Sequence, residues 1–268
     1  MTARIKTRVR RLDVVLLHGY ALHSGTWGPW LTPLSEHAEL HPVDLPGHGG
    51  RPWTSEVRTL AELAHAVANQ VPPGAIIIGW SLGGMVALEL ARQGPADLHG
   101  LVLLATTPRF VASDDWPHGI DPGTLEDFGR GLVGDYDRTV RDFLALHVHG
   151  AADPQSTLRQ LRAGLRDQPA PDPRALAAGL EILRRTDLRS ALPGIDVPAL
   201  VIAGTHDRLT MPGAGEYLAR ALPAARLRRI AGAGHAPFLS HPAAVLAEVT
   251  AFMAELESAP HRAAPVGA

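Results

Sequence analysis

Short apolar runs alternate with amphipathic segments along most of the chain. The runs are continuous rather than interrupted by polar residues, which is typical of strands buried on both faces of a parallel sheet. Between them, apolar residues recur at helical spacing. This alternation predicts a mostly parallel sheet covered by helices on both faces, an α/β fold. The predicted strands are residues 14–17, 40–43, 76–78, 98–105, 199–204 and 226–230, and the predicted helices include residues 27–37, 60–68, 218–222 and 242–256.

The alternation is interrupted between residues 108 and 187. This stretch has apolar residues at helical spacing, prolines between the amphipathic segments and no convincing strand. It therefore predicts an all-helical insertion. The expected organisation is an α/β core of residues 1–107 and 188–257, a helical cap of residues 108–187 over the edge of the sheet, and a disordered tail of residues 258–268.

One turn in this pattern carries a candidate nucleophile. The β-branched run at residues 76–78 is followed by Gly79-Trp80-Ser81-Leu82-Gly83 and then by a helix-forming run. A serine nucleophile needs such a sharp strand-to-helix turn, with small neighbours around it. The N–H of Leu82, at the positive end of the following helix, can then face a developing oxyanion. The alternative is an ordinary strand, turn and helix with an incidental serine.

A carboxylate and an imidazole follow two later strands. Asp207 comes after the strand at residues 199–204, and His235 lies in a glycine-rich loop after the strand at residues 226–230. The chain order Ser81, Asp207, His235 is nucleophile, acid and base, an order used by serine hydrolases. In this arrangement His235 accepts the Ser81 proton, and Asp207 holds the imidazole tautomer. The rival candidates are His206 as base and Asp187 and Asp196 as acids.

A second hydrogen-bond donor for an oxyanion is expected after the first strand. His18-Gly19-Tyr20 directly follows residues 14–17, and loops after parallel strands meet at the same edge of a sheet. A His-Gly turn in this place can present the N–H of Tyr20 to the oxyanion. We therefore predict that Tyr20 and Leu82 form an oxyanion hole, with an ordinary turn as the alternative.

Composition narrows the function classes without choosing among them. The 268-residue chain has a formal net charge of −2 and no cysteine. A thiol nucleophile, disulfides and a cysteine-ligated metal are therefore excluded, and the charge gives no reason to expect nucleic-acid or membrane binding. His147-x-His149 lies in a helical region and matches no metal motif. Because residues 14–17 are too short an apolar run for a signal peptide, we expect a cytoplasmic, monomeric enzyme without metal or cofactor.

These residues together resemble the α/β-hydrolase superfamily over residues 14–256. The insertion and the C-terminal half are similar to a narrower family, the pimeloyl-[acyl-carrier protein] methyl ester esterases of biotin synthesis. The stretches in the cap are more specific than the serine turn, because the general fold does not require them. The resemblance rests on Asp115-Trp116-Pro117, Arg138-Thr139-Val140, Phe143-Leu144-Ala145-Leu146, Gly179-Leu180-Glu181-Ile182-Leu183, Thr186-Asp187-Leu188-Arg189, His235-Ala236-Pro237-Phe238 and Ser240-His241-Pro242.

The resemblance implies an activity and a set of roles. Enzymes of that family hydrolyse the methyl ester of pimeloyl-acyl-carrier protein and release methanol. Ser81 would be the nucleophile, with Asp207 and His235 as its partners. One departure is Tyr20-Ala21, where the family commonly has Trp-Gly; a backbone donor survives this change, whereas the side chain at the pocket wall differs. The implied substrate-binding residues are Tyr20, Ser81, Leu82, Phe143, Leu144, Ala145, Leu146, His147 and His235.

Arginines are concentrated in one part of the predicted cap. Residues 138–166 contain five arginines and two aspartates, and Arg159, Arg162 and Arg166 recur at i, i+3 and i+7 of one helix. Arginine pairs well with carboxylates and phosphates, so such a face can meet an acidic acyl-carrier protein and its phosphopantetheine. Solvated surface arginines are the alternative, and the resemblance favours the carrier. The predicted docking residues are Arg138, Arg141, Arg159 and Arg162.

Two other functions are compatible with the sequence. A broad short-chain carboxylesterase would share the triad but have no dedicated carrier partner. A hydrolase-fold binding protein would have lost catalysis, which an intact serine, aspartate and histidine with both oxyanion positions argues against.

Overall fold

The structure, a computed structural model, describes residues 11–94, 97–148, 151, 153–166 and 168–258. Within these residues a parallel sheet of six strands forms the centre of the protein. The strands are β1 (Leu12–Leu17), β2 (Ala38–Val43), β3 (Ile76–Trp80), β4 (Gly100–Leu104), β5 (Ala199–Gly204) and β6 (Ala225–Ile230). They lie side by side in the order β2-β1-β3-β4-β5-β6. The predicted parallel sheet is confirmed.

Burial explains why these strands can be recognised from apolar runs. Every residue of β3, β4 and β5 is buried, whereas the edge strand β6 carries exposed Arg228 and Arg229. A strand that lies between two neighbours and under helices on both faces has no side that meets water, so it is apolar throughout. The sheet thereby separates two apolar layers.

Helices cover both faces of the sheet. The side chains of α2, α3 and α8 pack with Val15 and Ile77 on one face, and those of α1, α9 and α10 pack with Val14 and Ile76 on the other. The helices of the described residues are α1 (Leu31–Leu34), α2 (Leu60–Ala68), α3 (Leu82–Gln93), α4 (Pro122–Gly134), α5 (Tyr136–His147), α6 (Pro154–Gly164), α7 (Pro173–Arg185), α8 (Pro212–Ala221), α9 (Pro237–Ser240) and α10 (Pro242–Ser258).

Four helices, α4 to α7, lie between β4 and β5 in the chain. Their starts are encoded locally, because an aspartate side chain caps each N-terminus by accepting a backbone N–H of the first turn. Pro154 and Pro173, which the sequence placed between helices, are instead first residues of α6 and α7, a position that needs no backbone donor. The capping residues are Asp121, Asp135, Asp153 and Asp172.

The two ends of this helical insertion are tied together beside the sheet. Arg109 and Asp187 form an isolated antiparallel bridge, and the N–H of Leu188 donates to the carbonyl oxygen of Pro108 at 2.9 Å. The Asp187 carboxylate lies 3.1 Å from the Arg109 guanidinium and 2.7 Å from that of Arg189. The insertion therefore leaves and rejoins the sheet at one place.

The predicted helix at residues 27–37 is wrong in its extent. The structure has a 3-10 helix at Ser24–Trp30, followed by the single turn of α1. Gly28 has φ 45° and ψ −134°, which no helix allows, and Pro29 follows it. Trp27 and Trp30 are nevertheless buried, so the apolar spacing in this segment reports burial and not a regular α-helix.

The predicted tail, residues 258–268, lies outside the described residues apart from Ser258, the last residue of α10. No helix in the described part of the chain is long and apolar enough to cross a membrane.

We expect Gly83→Ala to destabilise the protein strongly. Gly83 is the second residue of α3, and a Cβ there would overlap the carbonyl oxygen of Leu17 at the end of β1. The obstacle is backbone, so α3 must shift, at a cost of about 3 kcal/mol in the free energy of unfolding. Urea unfolding measures this change.

Gly194→Ala is the matched control, because a Cβ there has no atom of the described residues within 4 Å. Equal unfolding midpoints for the two variants would contradict the close approach of α3 to β1.

Candidate active site

Ser81 occupies a strained turn between β3 and α3. Its backbone has φ 55° and ψ −117°, in the left-handed region that residues with a side chain rarely adopt. A Cβ at Gly79 would lie 2.5 Å from the carbonyl oxygen of Gly83, so the turn closes only with glycine at this position. Such strain is typical of functional sites. The predicted turn is present, and the Ser81 side chain lies at its apex.

Two contacts with β4 and the residues after it hold the turn. The N–H of Ser81 donates to the carbonyl oxygen of Leu104 at 3.0 Å. The hydroxyl of Thr106 donates to the carbonyl oxygen of Ser81 at 2.6 Å. Sequence reasoning missed Thr106; the available signal was its place just after β4, at the edge of the sheet where the other loops meet.

Asp207 and His235 form a buried pair. His235 Nδ1 lies 2.8 Å from Asp207 Oδ2, and both residues are buried. Because an ionised carboxylate only accepts hydrogen bonds, Nδ1 carries the proton and Nε2 is free to act as a base. The structure therefore brings together the acid and the imidazole predicted from the sequence.

The environment of Asp207 keeps its carboxylate charged. Thr210 donates its hydroxyl to Oδ2 at 2.7 Å, and the N–H groups of Leu209 and Thr210 donate to Oδ1 at 2.8 and 3.0 Å. Burial alone raises the pKa of Asp207, but the nearby His235 and the hydrogen bonds with His235 and Thr210 outweigh it and hold the pKa below its ordinary value. Sequence reasoning missed Thr210, although Asp-x-x-Thr after a strand suggests a side-chain cap.

A hydrogen bond attaches His235 to Trp80, the last residue of β3 and the neighbour of Ser81. The indole N–H of Trp80 donates to the carbonyl oxygen of His235 at 2.7 Å, and the two rings lie 5.8 Å apart between centroids. The hydrogen bonds of the described residues do not include one between Ser81 and His235. Such contacts commonly tighten only when substrate binds.

The predicted oxyanion donors come from two elements whose ends meet. Leu17, the last residue of β1, pairs with Gly79 of β3, and a Cβ at Gly19 would lie 3.4 Å from Ser81 Cβ. The loop with Tyr20 therefore runs beside the serine. Leu82 is the first residue of α3, so its N–H has no acceptor within the helix.

His18 holds the start of this loop. Its Nδ1 donates to the carbonyl oxygen of Gly19 at 2.8 Å, and its Nε2 accepts the N–H of Leu45 at 3.0 Å. Burial, with His48 nearby, lowers the pKa of His18 well below its ordinary value. A neutral imidazole that uses both nitrogens thus joins the loops after β1 and β2.

Tyr20 also connects the site to the helical insertion. Its hydroxyl donates to the carbonyl oxygen of Leu176 on α7 at 2.8 Å. Its ring meets Phe128 of α4 and Phe143 of α5 edge-to-face, at 6.0 and 6.3 Å between centroids. The side chain that replaces the tryptophan expected from the family therefore touches three helices of the insertion.

Residues 143–147, which the resemblance implies bind substrate, do not share one environment. Phe143 and His147 are buried near Tyr20 and His235, and Leu144 is buried in the apolar layer of Trp27 and Phe238. Ala145 is exposed and Leu146 is 45% exposed. Because a helix turns about 100° per residue, five consecutive positions of α5 cannot all face one pocket.

His147 is a buried, neutral imidazole beside the candidate base. Its Nδ1 donates to the carbonyl oxygen of Phe143 at 2.8 Å, and its ring lies 5.0 Å from that of His235 between centroids. Burial and the neighbouring His235 lower its pKa to about 3. His147 therefore stays uncharged beside His235 at neutral pH.

The predicted docking arginines all lie on the surface of α5 and α6. Arg138, Arg141, Arg159 and Arg162 are exposed, and Arg138 lies 3.9 Å from Asp142. The predicted i, i+3, i+7 face is wrong in one respect, because α6 ends at Gly164 and Arg166 lies beyond it.

The rival candidates have other environments. The side chain of His206 is exposed, and so is that of Asp196. Asp187 forms ion pairs with Arg109 and Arg189 where the two ends of the insertion meet. Among the described residues no group of three or more His, Cys, Asp or Glu side chains could hold a metal ion, and His149 of the His147-x-His149 pair lies outside them.

The protein has a parallel sheet, a strained serine turn after β3, and a buried Asp–His pair after β5 and β6. These features together are typical of α/β hydrolases. The sequence model described as the alpha/beta hydrolase family matches residues 14–249, and the chain belongs to this family. A solved esterase from Exiguobacterium antarcticum superposes with a TM-score of 0.81 over 93% of each chain at 20% identity. A hydrolase from Pseudomonas aeruginosa superposes with a TM-score of 0.75 over 91% of this chain and 90% of its own, at 27% identity.

The curated relatives are more specific. The chain is 46% identical over 248 residues to the pimeloyl-[acyl-carrier protein] methyl ester esterase of Stenotrophomonas maltophilia strain K279a, covering 92% of this chain and 95% of that protein. It is 43% identical over 239 residues to the protein of the same name from Nitrosomonas europaea, covering 89% and 94%. The family resemblance seen in the sequence is confirmed.

The buried imidazoles predict how stability depends on pH. Unfolding restores the pKa of His147 from about 3 toward its ordinary 6.5, so below about pH 6.5 the unfolded chain binds a proton that the folded chain excludes. The contribution of the neutral His147 to the free energy of unfolding is complete above that pH and is lost as the pH falls toward 3. We expect His147→Gln to reduce the slope of the unfolding free energy between about pH 5 and pH 6 by about 1 kcal/mol per pH unit.

Urea unfolding at several pH values measures this slope. His65→Gln is the control, because His65 is exposed on α2 and its removal should leave the slope unchanged. Equal slopes for the wild type and His147→Gln would show that His147 is protonated in the folded protein.

Proposed function

We propose that this protein is a serine carboxylesterase that hydrolyses the methyl ester of pimeloyl-[acyl-carrier protein] to methanol and pimeloyl-[acyl-carrier protein] in biotin synthesis. The observation that carries the catalytic part is the buried 2.8 Å contact between Asp207 and His235, tied by Trp80 to the strand of Ser81. The substrate is proposed from the relatives of that name, which match almost the whole chain. The proposal includes a cytoplasmic, monomeric enzyme without cofactor.

The first half of the reaction forms an acyl-enzyme. Ser81 Oγ attacks the carbonyl carbon of the methyl ester while His235 Nε2 takes the hydroxyl proton. Asp207 stabilises the imidazolium that results. The N–H groups of Tyr20 and Leu82 stabilise the oxyanion of the tetrahedral intermediate. The intermediate collapses when the C–O bond to methanol breaks and His235 returns its proton to the departing oxygen.

The second half releases the product. A water molecule gives a proton to His235 Nε2 and attacks the acyl carbon. The new tetrahedral intermediate expels Ser81 Oγ, which recovers the proton from His235. The product is the free pimeloyl carboxylate, still joined to its carrier by the thioester.

The helical insertion, residues 108–187, is proposed to act as a cap over a core of residues 1–107 and 188–257. Its inner side chains, Phe143 and His147, are buried next to Tyr20 and His235. Such a cover would exclude bulk water and surround the aliphatic chain of the substrate. Ala145 and Leu146, which face outward on α5, are less suited to contact the acyl chain than their neighbours.

The exposed arginines of α5 and α6 are proposed to dock the carrier. Arg138, Arg141, Arg159 and Arg162 extend into solvent from two consecutive helices of the insertion. Guanidinium groups suit the carboxylates and the phosphodiester of a phosphopantetheinylated carrier. Docking there would place the arm of the carrier next to the cap that covers Ser81.

Removing the nucleophile tests the catalytic assignment. We expect Ser81→Ala to lower kcat on p-nitrophenyl butyrate at least about a thousandfold, because the variant keeps the binding site but lacks the attacking oxygen. Ser55→Ala, in an exposed loop, is the control and should keep full activity. Comparable turnover by a folded Ser81→Ala variant would overturn the role of Ser81.

Charge reversal tests carrier docking. We expect the triple variant Arg138→Glu, Arg159→Glu and Arg162→Glu to raise KM for the carrier-bound methyl ester at least about tenfold, because it replaces attraction by repulsion. KM for p-nitrophenyl butyrate should be unchanged.

The control reverses three exposed arginines elsewhere, Arg58, Arg130 and Arg220, so the net charge changes equally. If both triple variants impair the carrier-bound ester alike, there is no docking face on α5 and α6. If the wild type prefers p-nitrophenyl butyrate to the carrier-bound ester, the protein is a broad esterase instead.

A further inference from the structure

Trp80 is the residue before the candidate nucleophile, and it lies completely buried at the end of β3. Its ring packs with Phe238 and Trp27, at 5.0 and 6.3 Å between ring centroids, and with the imidazole of His147 at 5.2 Å. The general strand-turn-helix motif places no requirement on this position, so the identity of its side chain needs another explanation.

The indole N–H supplies that explanation. Trp80 Nε1 donates to the carbonyl oxygen of His235 at 2.7 Å, between residues 155 apart in the chain. A buried N–H without an acceptor costs free energy, so the bond specifies where the carbonyl must lie. The direct partner of Trp80 is the main chain of the candidate base.

The histidine loop, residues 231–236, is held by hydrogen bonds to several elements, among them those from Gly232 to Thr205 and between His235 and Asp207. The N–H of His206, after β5, donates to the carbonyl oxygen of Ala233 at 2.9 Å, and the N–H of Ala236 donates to that of His147 on α5 at 3.2 Å. A further bond comes from Trp80. Among the hydrogen bonds of the described residues, only this one joins the loop to β3, the strand that leads into Ser81.

We propose that Trp80 is a positioning residue, whose indole N–H sets the distance between the His235 imidazole and the Ser81 hydroxyl. The inference rests on the proposed catalytic roles of Ser81 and His235. Asp207, which follows β5, orients the imidazole through a hydrogen bond to Nδ1. This bond does not set the distance between the imidazole and Ser81. Trp80 completes the arrangement, because its own backbone continues directly into Ser81.

The expected consequence is a loss of rate rather than of binding. A shift of about 1 Å between reacting groups can cost about a hundredfold in rate. The Trp80 side chain is completely buried, so it offers no exposed surface to a substrate. A merely structural role would instead lower the fraction of folded protein and leave the activity per folded molecule unchanged.

Trp27 provides a matched control. It is also completely buried and belongs to the same aromatic cluster, 4.7 Å from Phe238 between ring centroids. Its indole nitrogen has no hydrogen-bond partner among the residues that the structure describes. Trp27→Phe therefore removes the same atoms from the same cluster as Trp80→Phe, but it breaks no hydrogen bond.

The test compares Trp80→Phe and Trp27→Phe on p-nitrophenyl butyrate, with active sites titrated by a phosphonate ester and unfolding followed by heat. We expect Trp80→Phe to lower kcat per active site about tenfold to a hundredfold with KM changed less than about twofold. Trp27→Phe should change kcat less than about threefold, although both variants lose apolar contacts and both melt at lower temperature.

A second pair of variants separates the hydrogen bond from the shape of the ring. Incorporating 3-benzothienylalanine at position 80 replaces the indole N–H by sulfur in a ring of the same size, and the same replacement at position 27 is its control. Loss of kcat only at position 80 supports the proposal even if Trp80→Phe does not fold.

Equal kcat values for the two positions in either pair would overturn the positioning role, as would a rise in KM at constant kcat. This failure is distinguishable from failure of the proposed function, which Ser81→Ala tests separately. If Ser81→Ala is inactive and the tryptophan pairs behave alike, only the role of Trp80 is wrong.

Discussion

The close passage of α3 over the ends of β1 and β3 is the constraint on which the site depends. It is possible only because Gly79 and Gly83 have no side chain where a Cβ would meet backbone atoms. The chain must then reverse within one residue, and Ser81 takes the left-handed conformation that this reversal requires. The serine thereby lies at the apex of the turn, directly before the first residue of α3. The strain is held by Thr106 and Leu104, which bind both polar groups of the Ser81 backbone.

The edge of a parallel sheet brings distant residues together around this turn. Loops after β1, β3, β5 and β6 supply Tyr20, Ser81, Asp207 and His235. Taking a carboxylate out of water is unfavourable, and three hydrogen bonds from Thr210 and Leu209 together with His235 offset that cost at Asp207. The Asp207 carboxylate is thus held in its charged form in the folded protein.

The helical insertion is coupled to the same edge by aromatic and main-chain contacts. Tyr20 reaches α4, α5 and α7, and the carbonyl of His147 accepts the N–H of Ala236 next to the candidate base. Where the family commonly has a tryptophan, a tyrosine can donate its hydroxyl to a carbonyl on α7. Movement of these helices would therefore displace both the loop of Tyr20 and the histidine loop.

Local patterns by themselves determined the six strands, the serine turn and the chain order of serine, aspartate and histidine. They could do so because buried parallel strands are continuously apolar and because their following loops meet at one edge. Only the tertiary structure decided that Ala145 and Leu146 turn away from His147, that Arg166 lies past the end of α6, and that Gly28 and Pro29 break the first helix. It alone revealed the hydrogen bonds of Thr106 and Trp80. Trp80 bonds to a residue 155 positions away. A contact over that distance in the chain leaves no periodic pattern in the sequence from which it could be predicted.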